Sequence, residues 1–343
     1  MKIVKPVYSF LKYQQRQREL SFNTIIANGR DLKLYWQFLN ENVYEYDKVS
    51  PVMIADLIDY LRKSDDDVIS IHKESARTNK TINRILSTVH TFYQYQATIQ
   101  ELDNPILMKD ITRPRNMFKS LLEHARSNNQ TKQSIFKVKV SKYAVRLVTD
   151  DEMEAVSNHL TNRRDILLYK TLFLTGARIQ EVLDLEIETV PVPNMSELVG
   201  IFRGIKSKGK TRDLLVPMSL IKELDDFIFE ERNLIDTDNS YIFVSEQKRY
   251  LGKQLTYSAA YDKLKKVQNE IGVFFNFHDL RHSFNSALAE MGVDVSIRAD
   301  IMGHEHISTT QIYTHLSEPY KKDCLSRYWS NSKLTGGVSI DKK

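Results

Sequence analysis

The chain has 343 residues, 41 % of them hydrophobic and 27 % charged, with a formal net charge of +5 at pH 7. That is material for about two domains of the usual ~100–200 residues each, and its balance is that of a soluble globular protein. With no apolar run near the roughly 18 residues of a membrane span, no apolar signal region and one cysteine, Cys324, the composition excludes a membrane protein, a disulfide framework and a cysteine-based zinc site, and a cytoplasmic protein is expected.

Residues 1–20 are basic and polar, fit for an arm or a short helix. Ser21 then opens a helical pattern in which Ile25, Leu32, Tyr35, Trp36 and Leu39 recur at three- and four-residue steps. Ser50-Pro51 is a second helix start, Ser at the N-cap and Pro in the first turn, continued by Ile54, Leu57, Ile58 and Leu61. A polar stretch from Lys63 to Ser75 reads as a loop. The third helix begins near Thr78, with Ile82, Ile85, Leu86, Val89, Phe92 and Tyr93 on one face. Its other face carries Arg77, Lys80 and Arg84, suited to lie along a nucleic-acid backbone. Residues 1–108 thus read as a small all-helical domain whose aromatic stripe is core rather than a base-stacking platform.

From Lys109 to Arg146 ten basic residues face two acidic ones, a local excess larger than that of the whole chain. Such a concentration points to a polyanion, because each phosphate neutralised releases counterions. Arg113, Arg115, Lys137, Lys139 and Lys142 are candidate DNA contacts there. The strip, with one plausible helix at Asn116–Arg126, holds few apolar residues and reads as a linker over 109–147 that becomes ordered against a partner.

A capping box at Thr149-Asp150-Asp151-Glu152 opens a larger domain, 148–330. An apolar helix ends at Thr175-Gly176, and the next begins with Ala177-Arg178-Ile179-Gln180-Glu181. Leu198–Ile205 and Arg212–Val216 read as a β-hairpin with a lysine-rich tip, and Tyr241–Val244 as a further strand. Helices are expected at Leu220–Arg232, Thr256–Ile271, His278–Met291, Val295–Met302 and Glu318–Tyr328. The fold class is mainly α with a small antiparallel sheet, and residues 331–343 form a loose tail.

The chemistry-bearing groups of this domain are almost all cationic or neutral. Arg178 stands at a helix start after a Gly turn, where a guanidinium and free N–H groups converge on an anion. His278 and Arg281, three apart, share a helix face. Lys208 is at the hairpin tip, His304 follows Met302-Gly303 at a helix end, and Tyr313 comes nine residues later. Attack on a phosphodiester builds negative charge on its non-bridging oxygens, which two arginines can hold through planar forks. A tyrosine, with an ordinary pKa of about 10, needs such a positive site to attack at neutral pH. A lysine near the departing oxygen supplies its proton. Paired carboxylates for a two-metal nuclease are not found, so neither metal nor other cofactor is expected. Taken singly each residue has a bland alternative: Arg178 paired with Glu181 or Asp184 on its own helix, the histidines as caps, Lys206, Lys208 and Lys210 as a solvated turn.

Together, in this order, the segments resemble the tyrosine recombinases, or phage integrases, which include Xer recombinases and some transposases. The resemblance rests on Thr175-Gly-Ala-Arg-Ile-Gln-Glu181, on Lys206–Pro217 with its Lys-Gly turn and Val-Pro, on His278-Asp-Leu-Arg-His282, on Met302-Gly-His304 and on Ser308-Thr-Thr-Gln-Ile-Tyr313. It covers roughly residues 149–320, and more loosely the helical first domain as the family's core-binding domain. Met302 stands where the family has Leu, a similar apolar volume. The resemblance implies that Tyr313 attacks the scissile phosphate to give a 3′-phosphotyrosyl link. Arg178 and Arg281 would hold the non-bridging oxygens, and His278 would assist proton transfer. His304 would donate a hydrogen bond to the phosphate, and Glu181 would orient the cluster from behind. Lys208 would protonate the leaving 5′ oxygen; Lys206 and Lys210 compete for that role, and Lys208-Gly209 overlays the family's turn best. His306 and His315 have no motif role.

The implied activity is site-specific DNA recombination without metal or ATP. The implied partners are duplex DNA with inverted-repeat core sites, a homotetramer in the synapse formed from free monomers or dimers, and possible accessory factors. With only about 20 residues before the first domain, a separate arm-binding domain is not expected. Within the family, mobile-element enzymes of the Tn554 transposase A type are favoured by the long basic linker, with Xer-type chromosome dimer resolution as the alternative. A type IB topoisomerase and a DNA-binding accessory protein with a dead site are further alternatives. The small helical first domain argues against the first of these, and the complete set of site residues against the second. Whether the last helix, with Tyr328 and Trp329, docks on a neighbouring protomer or on its own domain stays open.

Overall fold

Many helix starts in this chain carry side-chain caps, and the computed structural model places them where the sequence has them. It describes residues 4–63, 77–112, 130–140, 145–207, 210–303 and 318–335. The expected loop at 63–75, beyond Lys63 itself, the helix at 116–126 and most of the tail lie outside these. The chain forms two compact units, Met1–Tyr143 and Ala144–Lys343.

The first unit contains α1 (Lys5–Arg16), α2 (Phe22–Glu41), α3 (Pro51–Arg62) and α4 (Asn79–Gln100). The hydroxyls of Ser21 and Thr78 accept hydrogen bonds from the amides of Thr24 and Thr81, which caps α2 and α4. Ser50 stands at the N-cap of α3 with Pro51 behind it, but its side chain makes no capping bond. The aromatic stripe is core: Tyr35, Phe38, Phe92 and Tyr93 are buried. The Tyr35 and Tyr93 hydroxyls meet at 2.7 Å, so the two polar tips in this apolar layer satisfy each other.

The basic strip differs from a free connection. Strands β1 (Met108–Thr112) and β2 (Gln130–Ser134) pair antiparallel, Met108 opposite Ser134 and Thr112 opposite Gln130. Beyond β2, Phe136 and Val138 pack towards the core of this unit while Lys137 and Lys139 stay exposed. Two asparagines one turn apart on α4 hold this segment. Asn83 donates to the Val138 carbonyl and accepts from its amide, at 2.8 and 2.9 Å, and Asn79 donates to the Lys139 carbonyl at 2.9 Å. Little in the residue pattern marks this, because two apolar residues suffice once the backbone's polar groups have partners.

The second unit runs α5 (Asp150–His159), α6 (Arg163–Thr175), α7 (Ile179–Leu183), β3 (Val199–Ser207), β4 (Lys210–Pro217), α8 (Met218–Glu230), α9 (Tyr257–Ile271), α10 (Phe277–Glu290), α11 (Val295–Met302) and α12 (Glu318–Ser330). Thr149 and Glu152 form the expected capping box of α5. The strands β3 and β4 pair antiparallel with Ser207 opposite Lys210 and an irregularity between Phe202 and Ile205. Tyr241 and Val244 make only isolated bridges, to Glu186 and Gln254, rather than the strand expected there. The apolar run arises because Ile242, Phe243 and Val244 are buried as a crossing segment. Helix α12 packs on its own unit. Trp329 donates its indole N–H to the Leu174 carbonyl at 2.8 Å, and Tyr328 meets Phe284 edge-on at 5.2 Å.

Candidate active site

The Gly176 turn between α6 and α7 is the first fixed point of the site. Gly176 has φ +59°, and a Cβ there would lie 2.4 Å from Phe284 Cδ1, so only glycine fits. The Thr175 hydroxyl accepts from the Ala177 amide at 3.2 Å, and Arg178 follows at the N-cap of α7. The second fixed point is the start of α10, where Asn276 and Asp279 form a capping box. Phe277 is buried there against Tyr169, Tyr257 and Tyr261. Anchoring Phe277 sets the helix so that exposed His278 and buried Arg281 lie one turn apart.

Glu181, 2 % exposed, is the shared acceptor. Its Oε1 accepts from Arg178 Nη1 at 2.7 Å and from the Ser207 hydroxyl at 2.5 Å. Its Oε2 accepts from the Arg178 amide at 2.8 Å and from Arg212 Nη2 at 2.7 Å. Burial opposes ionisation of this carboxyl, but Arg212, Ser207 and the Arg178 amide outweigh it and draw its pKa down to about 2. The pairing of Arg178 with Glu181 that the sequence allowed as a bland alternative is therefore present, within a larger cluster.

Three arginines from three segments then cap the end of α11. Arg212 Nη1 donates to the Ile301 carbonyl at 2.9 Å, Arg281 Nη2 to the Met302 carbonyl, and Arg178 Nη2 to the Gly303 carbonyl at 3.2 Å. Arg281 Nη1 also donates to the Gly176 carbonyl at 2.7 Å, which closes the ring back to the first turn. Burial, then the charges of Arg178 and Arg212, lower the Arg281 pKa to about 10, still well above neutral. Though His278 is exposed overall, partial desolvation of its ring lowers the pKa first, then His282, whose ring lies edge-on at 4.4 Å, and Arg281. The imidazole therefore stays neutral further into the acid range, free to accept or pass a proton.

Arg178, Glu181 and Arg281 thus meet beside the Met302–Gly303 turn, with His278 one helix turn before Arg281 on α10. His304, Tyr313 and Lys208 lie outside the described residues. Lys206 is exposed on β3, opposite Thr211. Of the candidate DNA contacts, Arg113, Arg115 and Lys142 lie outside the described residues. Lys80 is exposed, and Arg77 reaches the Leu61 carbonyl at 3.4 Å. Arg84 is ion-paired with buried Asp31 at 2.6 Å while its own side chain is half exposed. Arg212 and Ser207 escaped the sequence reading. A signal for Arg212 was present: it shares the period-two face of Leu214 and Val216, a core-facing position for a charge.

Residues 146–319 match the phage integrase family, and residues 7–98 match its N-terminal SAM-like domain. Transposase A from transposon Tn554 of Staphylococcus aureus is 28 % identical over 334 residues, 95 % of this chain and 91 % of that protein. Tyrosine recombinase XerD of the same species is 27 % identical over 91 % of this chain and 94 % of its own. Among solved structures, the XerH site-specific recombinase on palindromic difH substrate, a post-cleavage complex, has a TM-score of 0.60 at 19 % identity. That likeness covers 93 % of this chain and 84 % of the other. The Tn1549 transposon integrase in complex with transposon right end DNA has a TM-score of 0.59 at 14 % identity, covering 93 % and 97 %. The family match takes in more than half of the chain and holds the whole arginine cluster: this protein belongs to the phage integrase family, the tyrosine recombinases.

Proposed function

We propose that this tyrosine recombinase cuts and rejoins duplex DNA at inverted-repeat core sites to integrate or excise a mobile element, acting in the cytoplasm as a tetramer assembled on DNA. The observation that carries the reading is the convergence of Arg178 and Arg281 on the turn at Met302–Gly303, with His278 one helix turn before Arg281 on α10. Two guanidiniums there suit the non-bridging oxygens of a phosphate, and a neutral imidazole beside them suits proton transfer. Tyr313 is the nucleophile in this reading, His304 donates to the phosphate, and Lys208 protonates the 5′ oxygen that leaves. Because the phosphotyrosyl bond keeps the energy of the bond broken, a 5′-hydroxyl from another strand reverses the step without ATP. In this reading the arginines supply the positive charge that meets the phosphate.

The mobile-element role draws on the likeness to Tn554 transposase A along nearly the full length of both chains. The comparable likeness to XerD favours chromosome dimer resolution as the second reading. The test is covalent capture on a library of duplexes followed by sequencing of the trapped ends. Tyr313→Phe is expected to bind the captured site with unchanged affinity and to form no adduct; an adduct that survives this change overturns the assignment. Trapped ends at the termini of a mobile element support the first reading, and ends at one chromosomal site support the second.

A further inference from the structure

Arg212 falls within the Lys206–Pro217 segment but has no role assigned to it there, yet it joins three parts of the site. From β4 it reaches Glu181 on α7, with Nη2 2.7 Å from Oε2 and Nε 3.4 Å from Oε1. Its remaining arm donates to the Ile301 carbonyl at the end of α11. The chain then passes directly over it: Gly303 has φ +61°, and a Cβ at that residue would sit 2.7 Å from Arg212 Cδ. The side chain is 12 % exposed, so it acts on its neighbours rather than on solvent.

Charge balance gives these contacts a purpose. Glu181 is the carboxylate that both Arg178 and Arg212 share. With Arg178 as its sole cationic partner, the pair would be formally neutral, and the guanidinium meant for the phosphate would be spent on its own helix. The second guanidinium divides the carboxylate's lone pairs and restores the excess. Arg178, Arg212 and Arg281 against Glu181 leave two formal positive charges, equal to the two negative charges on a five-coordinate phosphorus formed from a phosphodiester and a phenolate. Held in a partly desolvated cluster, that excess is worth far more than the same charges in water.

We propose that Arg212 is a positioning residue for DNA cleavage, which keeps Arg178 aimed and charged towards the phosphate and sets the Met302–Gly303 turn. The proposal rests on the cleavage reading above. The experiment measures single-turnover formation of the covalent adduct by the full chain, on a nicked duplex carrying the site recovered from the unaltered enzyme. A parallel duplex carries a methylphosphonate at the scissile position, which removes one negative charge from the phosphate.

Arg212→Met is expected to cleave the ordinary phosphate at least about 100-fold more slowly, the scale of losing one preorganised donor, while binding the duplex within about twofold of the unaltered enzyme. On the methylphosphonate the loss is expected to shrink to below about tenfold, because less charge needs to be met. A merely structural role would produce the same factor on both substrates. Equal factors, or cleavage of the ordinary phosphate within about threefold of the unaltered enzyme, overturn the proposal. Should Arg212→Met fail to fold, Arg212→Lys, which keeps the charge but not the fork, carries the same two-substrate criterion with a smaller loss expected on the ordinary phosphate. Tyr313→Phe run alongside separates the two levels: its failure to abolish the adduct overturns the cleavage reading, whereas its success with equal Arg212 factors overturns this proposal alone.

Discussion

At the scale of single residues the most informative group is the Glu181 carboxylate, whose pKa falls from the ordinary 4.5 to about 2 although it is buried. A depressed acid stabilises the folded state fully above its unfolded value and loses that contribution as pH falls through its folded value. Glu181→Gln is therefore expected to lose on the order of 3 kcal/mol at neutral pH. The gap to the unaltered protein should close between pH 4.5 and about 2. Urea unfolding at a series of pH values checks this; a gap that stays constant down to about pH 2.5 contradicts it. Arg178, His278 and Arg281 were legible in the sequence because each stands at a helix start or helix-face spacing that concentrates positive charge. Arg212 and Ser207 were not, because their bonds to Glu181 cross 31 and 26 residues of sequence and depend on how β4 and β3 pass α7. Spacing arguments reach one helix turn; they do not reach the next element.

At the scale of elements, what was legible was the local punctuation. Thr149, Thr256 and Asn276 cap α5, α9 and α10 as side chains of their type do, and Gly176, Gly272 and Gly303 end α6, α9 and α11 in left-handed turns. What was not legible was the packing between elements, such as the run at Ile242–Val244, whose burial mimics a strand. The turn at Gly176 shows how tightly elements are keyed. A methyl added there meets Phe284 at 2.4 Å and Met302 Sδ at 3.2 Å, in a backbone region that L residues rarely adopt. Gly176→Ala is expected to destabilise the protein by about 2–4 kcal/mol from strain and overpacking together. It should also slow cleavage, because Phe284 lies on the helix that carries Arg281. Denaturant midpoints and adduct rates measure both; a stability change below about 0.5 kcal/mol would show that the turn relaxes.

At the scale of the whole molecule, the basic strip was expected as a linker, and its described part is tied to the first unit by β1, β2 and the asparagines of α4. That tie leaves Lys137 and Lys139 exposed on a fixed backbone. Replacing Lys137, Lys139 and Lys142 by Gln is expected to weaken DNA binding across sequences and to flatten the salt dependence by up to about 3 in log–log slope. Titrations at several salt concentrations measure it, and an unchanged slope refutes a phosphate-contacting strip. No helix among the described residues is long and apolar enough to cross a membrane.

The last turn of α11 offers its carbonyls of Ile301, Met302 and Gly303 to three guanidiniums that would otherwise repel one another. A helix C-terminus carries about half a negative charge, so this short helix works as a built-in counterion. The positive cluster then owes its shape in part to fixed protein dipoles.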